Sequence, residues 1–195
     1  MKNLILIFFL IFFQTSIISA DGSSEVKRIV IGNKDAKITI IAYESLTCSH
    51  CADFHINIIP NLKRDYIDTG IAKVEFRHFP LDVAAFNASK IAQCKNDGNS
   101  DILNSLYLNQ PKWIKGETID EVNENLKKFL ASDGIELDFD KCIDNKIIEE
   151  FVLNDRVEGV KKFKVNATPT IIINGKKFEK SLNYKNLKKI LEKLI

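Results

Sequence analysis

The stretch Tyr43–His55, YESLTCSHCADFH, decides how the chain is read. It sets Cys48 and Cys51 with two residues between them, one of them His50, and His55 just beyond. Upstream, residues 36–46 (AKITIIAYESL) are rich in Ile, Thr and Tyr, the composition of a strand buried on both faces. Downstream, Cys51, Phe54, Ile58 and Leu62 recur at helical spacing. Pro60 predicts a kink in that helix, and Gly70 closes it. The thiol pair thus stands where a strand hands over to a helix. Backbone N–H groups are free at a helix start and the dipole there is positive, and both stabilise a thiolate. A cysteine so placed can fall well below its usual pKa of about 8.5. Cys48, nearest the helix end, is the expected exposed nucleophile. Cys51, one turn in, is the more buried partner that closes a redox-active Cys48–Cys51 disulfide. The His50 imidazole can donate to the Cys48 sulfur or hold positive charge beside it. A stabilised thiolate favours the reduced form and makes the disulfide a stronger oxidant.

Other chemistries fit the pair less well. Haem attachment needs histidine directly after the second cysteine, and Ala52 stands there. Zinc needs four ligands, usually from a second close pair, whereas Cys94 and Cys142 are single and far apart. We therefore expect no metal and no cofactor. An inert structural disulfide between Cys48 and Cys51 stays open at this point.

The chain has 195 residues, 45% hydrophobic and 28% charged, which suits one domain or a domain with an insertion. The formal net charge is +2, and no basic stripe with interleaved aromatics marks a nucleic-acid surface. Residues 1–20 (MKNLILIFFLIFFQTSIISA) have an early lysine, an apolar centre and small residues at the end, the layout of a secretory signal with a cut after Ala20. The rival is a retained anchor, but the apolar run is short of the roughly 20 residues a span needs. Export to the periplasm, or anchorage facing it, places all four cysteines in an oxidising compartment, where paired thiols are expected.

Residues 21–34 read as a flexible lead-in. Residues 71–81 (IAKVEFRHFPL) alternate like a strand that Pro80 ends. From Asp82 to about Phe163 the pattern is helical. It has breaks near Gly98 and Pro111, a well-capped helix over residues 118–134, and then one long helix or two with Gly159 as the weak point. Residues 168–175 (TPTIIING) form a strand and turn, residues 176–182 its hairpin partner, and residues 183–195 an amphipathic helix with Leu187, Ile190, Leu191 and Leu194 on one face. Pro169 is either a plain strand-start proline or a cis proline beside the sulfurs. In the second case its loop offers backbone groups to a peptide added as a strand.

Taken together, ESLTCSHCADFH, VEFRHFPLD, CIDN and NATPTIIINGK resemble, in order and over almost the whole chain after the signal, the DsbA-type thiol–disulfide oxidoreductases of the thioredoxin-like superfamily. The resemblance implies an α/β thioredoxin-like fold with an inserted all-helical domain. The thioredoxin-like part would be residues 35–81 and 155–195, and the insertion residues 82–154. It implies that Cys48 enters mixed disulfides, Cys51 resolves them, His50 tunes Cys48, and Thr168-Pro169 is the cis loop beside them. It further implies a monomeric enzyme that donates disulfides to reduced exported proteins and is reoxidised by a DsbB-like or VKOR-like membrane partner. A reductase or isomerase of the same fold, or a non-catalytic envelope protein, is the alternative.

The chain departs from the family pattern at two places. Ser49 stands where the best-known members have proline. Many members also carry a buried acid six residues before the first cysteine, where this chain has Ala42 and the acid is Glu44. Positions 42 and 44 share a strand face, so Glu44 is a candidate proton relay for Cys51. Relatives with cysteines at similar places suggest a structural Cys94–Cys142 disulfide, closing a loop of roughly 50 residues and contributing about 4 kcal/mol in the chain-entropy model. His55 is expected on the helix surface, His78 near the domain junction, and Trp113 in the core.

Overall fold

The computed structural model describes residues 25–195. The expected signal, residues 1–20, and the first residues of the lead-in, 21–24, lie outside the described residues. Five strands form one mixed sheet: β1 Val30–Ile31, β2 Ile38–Glu44, β3 Ala72–His78, β4 Thr170–Ile173 and β5 Lys176–Lys177, in the order β1-β3-β2-β4-β5. β2 is central, parallel to β3 and antiparallel to β4. A strand so placed is covered on both faces, which is why its sequence is almost unbroken apolar. Ile38, Ile40 and Ala42 point into the main core, whereas Tyr43 joins a smaller cluster with Phe79, Val165 and Ile172. By the two-residue period Glu44 continues the main-core row.

The lead-in differs from expectation. Ile29 is buried, and β1 pairs antiparallel with β3, setting Val30 opposite Glu75. An Ile-Val-Ile triplet gains more from burial on a sheet edge than from freedom in water.

After the cysteines the chain runs through α1 Ser49–Asp53, a π-helical turn Phe54–Ile58, α2 Ile59–Leu62 and a second π-helical turn Lys63–Ile67. Pro60 has no N–H to give the preceding turn. The helix widens just before it, so that Ile59 N–H bonds to Phe54 C=O five residues back.

Between β3 and β4 stand six helices: α3 Val83–Gln93, α4 Asp101–Leu108, α5 Gln110–Trp113, α6 Ile119–Ser132, α7 Phe139–Asp144 and α8 Lys146–Phe163. This is the thioredoxin-like sheet with a helical insertion. Cys94 at the end of α3 and Cys142 in α7 are joined by a disulfide, with Cα atoms 5.5 Å apart. α6 carries a complete capping box between Thr118 and Glu121. The break expected at Gly159 falls instead at Asn145, whose side chain accepts from Ile147 N–H and Ile148 N–H at 3.0 and 3.1 Å and starts α8. α8 then passes through Gly159 unbroken, so the expected boundary at 154/155 lies inside a continuous helix.

Asn174 and Gly175 turn the chain at φ 46° and 79°, as a two-residue hairpin requires. The last helix, α9 Tyr184–Leu191, buries Leu187 and Leu191, while Leu194 lies past its end and is exposed. Among the described residues no helix is long and apolar enough to cross a membrane.

Candidate active site

β2 ends at Glu44, and a tight turn (Cys48 N–H to Ser45 C=O, 3.0 Å) delivers Cys48 as the N-cap of α1. Its backbone is extended, at φ −80° and ψ 119°. The turn is gripped from the helical insertion. Thr47 Oγ1 donates to Asp82 Oδ2 at 2.7 Å, and Leu81 N–H donates to Ser45 Oγ at 3.2 Å. Gln110 Nε2 donates to Leu46 C=O and Cys48 C=O at 2.7 and 3.0 Å.

Cys48 and Cys51 are both free thiols, the first half-buried and the second with no exposed surface. Across from them the Thr168-Pro169 bond is cis, and the Cys48 thiol lies 3.4 Å from Thr168 C=O as donor. The buried Thr168 hydroxyl has no partner of its own and is free to serve the sulfur. The hydrogen bond from the Cys51 thiol, helped by the Thr168 side chain and the N–H groups of Cys51 and His50, lowers the Cys48 pKa to about 5, against the opposing effect of burial. The Cys51 pKa moves the other way. Burial, the bond it gives to Cys48 and the nearby Glu44 carboxylate all hold its proton on. One thiol is therefore ionised at neutral pH and its neighbour is not.

His50 reaches Cys48 through its backbone N–H, and its exposed side chain makes no hydrogen bond to the sulfur. The ring instead lines a groove of about 280 Å³ with Asp53, Phe54, Thr168, Pro169 and Leu182.

Glu44 lies 3% exposed, and burial raises its pKa. Its Oε2 is 2.9 Å from His55 Nε2. His55 is thus not a surface residue. It is buried and stacked between Tyr107 (ring centroids 4.1 Å apart) and Phe76 (5.1 Å), with Nδ1 3.0 Å from Asn104 Oδ1. Asn104 Nδ2 donates to Ser100 Oγ at 3.2 Å, which leaves Oδ1 as the acceptor and puts a hydrogen on His55 Nδ1. The Glu44–His55 contact therefore holds one mobile proton, on either the carboxyl or the imidazole.

His78 is also buried, and burial lowers its pKa. Its Nε2 donates to Gln93 Oε1 at 3.3 Å, away from the cysteines. Trp113 is fully buried and donates Nε1–H to Leu106 C=O at 2.9 Å. Among the described residues no group of His, Cys, Asp or Glu side chains gathers where a metal ion could be held. Sequence reasoning missed His55, Asn104 and Gln110. Only the CADFH spacing, which puts His55 one turn beyond Cys51, carried any signal for them.

A family model described as Thioredoxin matches residues 24–193. The chain is similar to a putative protein-disulfide oxidoreductase of Rickettsia bellii, 35% identical over 149 residues. That match takes in 75% of this chain and 56% of the relative, so the chain spans little more than half the length of that protein. Disulfide bond formation protein D of Bacillus subtilis is 24% identical over 186 residues, covering 90% of this chain and 81% of that one. The crystal structure of Wolbachia pipientis alpha-DsbA1 superposes with a TM-score of 0.76 at 29% identity, over 86% of this chain and 90% of that chain. With a half-buried acidic thiol, a buried partner and a cis-proline loop on a thioredoxin-like sheet, the chain belongs to the thioredoxin family and, within it, to the DsbA type.

Proposed function

We propose that the protein is an exported thiol–disulfide oxidoreductase that introduces disulfides into reduced exported proteins through a Cys48–Cys51 disulfide. The observation that carries this reading is the opposed ionisation of the pair, with Cys48 lowered to about 5 and buried Cys51 raised. A substrate thiolate attacks Cys48 Sγ, the Cys48–Cys51 bond breaks, and Cys51 leaves as a thiolate that takes up a proton. The second substrate thiolate then attacks the mixed disulfide. Cys48 departs as its stable thiolate, and the enzyme is left reduced. A stable leaving thiolate drives electrons toward the enzyme, which suits an oxidase. Glu44, with the proton it shares with His55, supplies and recovers the Cys51 proton in a site closed to water. Thr168-Pro169 and the groove beside it receive the substrate backbone as an added strand, and His50 contributes its N–H to the thiolate.

In this reading the signal-like residues 1–20 direct export to the periplasm, or anchorage facing it. The enzyme acts as a monomer, and a DsbB-like or VKOR-like membrane protein reoxidises it. Equilibration of the purified protein with glutathione buffers tests the direction. A potential well above the roughly −270 mV of thioredoxin, together with an acidic Cys48, supports the oxidase. A thioredoxin-like potential with an ordinary thiol pKa makes it a reductase instead.

A further inference from the structure

Gln110 stands outside the chemistry just described, yet its side chain is the one amide from the helical insertion that reaches the cysteine turn. It is buried, and Nε2 faces two carbonyl oxygens, Leu46 at 2.7 Å and Cys48 at 3.0 Å. Only the NH2 end of the amide can face two acceptors, so its orientation is fixed. The Cys48 carbonyl is also the first acceptor of the helix, taking Cys51 N–H at 3.1 Å and Ala52 N–H at 3.2 Å. The Cys48 carbonyl thus receives the insertion and the first turn of the helix at the residue that carries the reactive thiol.

We propose that Gln110 is a positioning residue for the reactive thiol. By bonding the Leu46 and Cys48 carbonyls from the insertion, it fixes the turn that presents the Cys48 sulfur, and it thereby links the helical insertion to the redox poise of the pair. Its effect passes through a backbone carbonyl and it touches no reacting atom. The titratable groups that face Cys48 are Cys51 on its own helix, Glu44 at the end of β2 and Tyr107 on α4, with His50 adjacent in the chain. Gln110 is uncharged, so replacing it leaves their charges in place.

The inference rests on the reading of Cys48 as an acidic nucleophile, and the experiment separates the two. Thiolate absorbance of reduced wild type is titrated first. If the wild-type thiol itself titrates in the ordinary range, both readings fall. With an acidic wild type, Gln110→Met keeps the side-chain length and removes the donor. The expected result is a Cys48 pKa higher by about half a unit or more and a glutathione equilibrium shifted at least threefold toward the oxidised protein, because a less stable thiolate disfavours the reduced form. Gln110→Met that folds with unchanged pKa and equilibrium overturns the proposal. A readout that needs no variant is the Gln110 side-chain amide signal of the reduced wild type. It should shift with the Cys48 titration, and an amide signal flat across that titration also overturns the proposal.

Discussion

Cys48 and Cys51 are the same side chain held three residues apart, and their surroundings pull them in opposite directions. Cys48 meets donors that outweigh its burial, whereas at Cys51 burial, the bond it gives to Cys48 and the Glu44 carboxylate outweigh the Ser45 backbone donor. The folded Cys48 pKa, about 5, is depressed below its unfolded value of about 8.5. The thiolate therefore stabilises the reduced form fully above about 8.5, and this contribution fades as pH falls and is gone below about 5. Denaturant unfolding of reduced against oxidised protein should show the reduced form gaining on the oxidised one across that window. A pH-independent difference would contradict an acidic Cys48. Glu44 carries a second prediction. Glu44→Gln keeps a hydrogen-bonding group beside His55 but cannot exchange a proton with Cys51. Stopped-flow exchange with glutathione should slow about tenfold or more and lose its pH dependence near the Glu44 titration, while unchanged rates across pH would sink the relay. Burial raises the Glu44 pKa, so the wild type loses stability as pH rises through that titration, and the Gln variant should lack this fall. At this scale the sequence was readable where the signal is local. The cysteine spacing and Thr168-Pro169 sit in short motifs. His55 depends on Asn104, 49 positions away, and Gln110 on Cys48, 62 away, and no periodicity records such partners.

Among the elements, α8 shows how packing overrides propensity. Gly159 looked like a break because glycine is a poor helix former. In the fold it sits against Tyr43, and a Cβ added there would come within 2.9 Å of the ring. The glycine is there for closeness, and the ring it admits packs edge-on against Phe79 with centroids 6.4 Å apart. Gly159→Ala should gain about 1 kcal/mol in helix propensity and lose about 1–3 kcal/mol to overpacking. The variant is expected to be less stable than wild type by urea unfolding, and a stabilised protein would show that Tyr43 yields freely. The true break at Asn145 was legible in principle, since asparagine is a strong N-cap. Apolar residues that keep helical spacing across it, Phe139, Ile143 and Ile147, hid the interruption. The hairpin turn, the capping box of α6 and the alternation of β3 were all readable, because each is specified within a few residues.

For the molecule as a whole, the lead-in was misread because its partners are so distant in sequence. Arg28 Nη1 donates to both carboxylate oxygens of Asp155 on α8, at 2.7 and 2.9 Å, across 127 residues. Asp155 is 2% exposed, accepts from His78 N–H at 3.0 Å, and has Arg77 at 3.5 Å. One buried carboxylate thus ties the lead-in, the end of β3 and the long helix that leads out of the insertion. The Cys94–Cys142 disulfide closes the insertion itself, joining α3 to α7. A composition scan sees Arg28 as one more surface cation. The structure makes it the neutralising partner of a charge that burial would otherwise penalise. Arg28→Ala strips that partner but leaves Arg77 and the His78 amide, so the cost should fall short of a fully orphaned charge, at about 2 kcal/mol. Arg28→Lys keeps the charge but gives up the guanidinium's stack on the Phe151 ring, 4.6 Å from its centroid, and should recover only part of the loss. Thermal unfolding of both variants checks this. Two variants as stable as wild type would mean that the lead-in is held by Ile29 and β1 alone, and that Asp155 draws its compensation from Arg77.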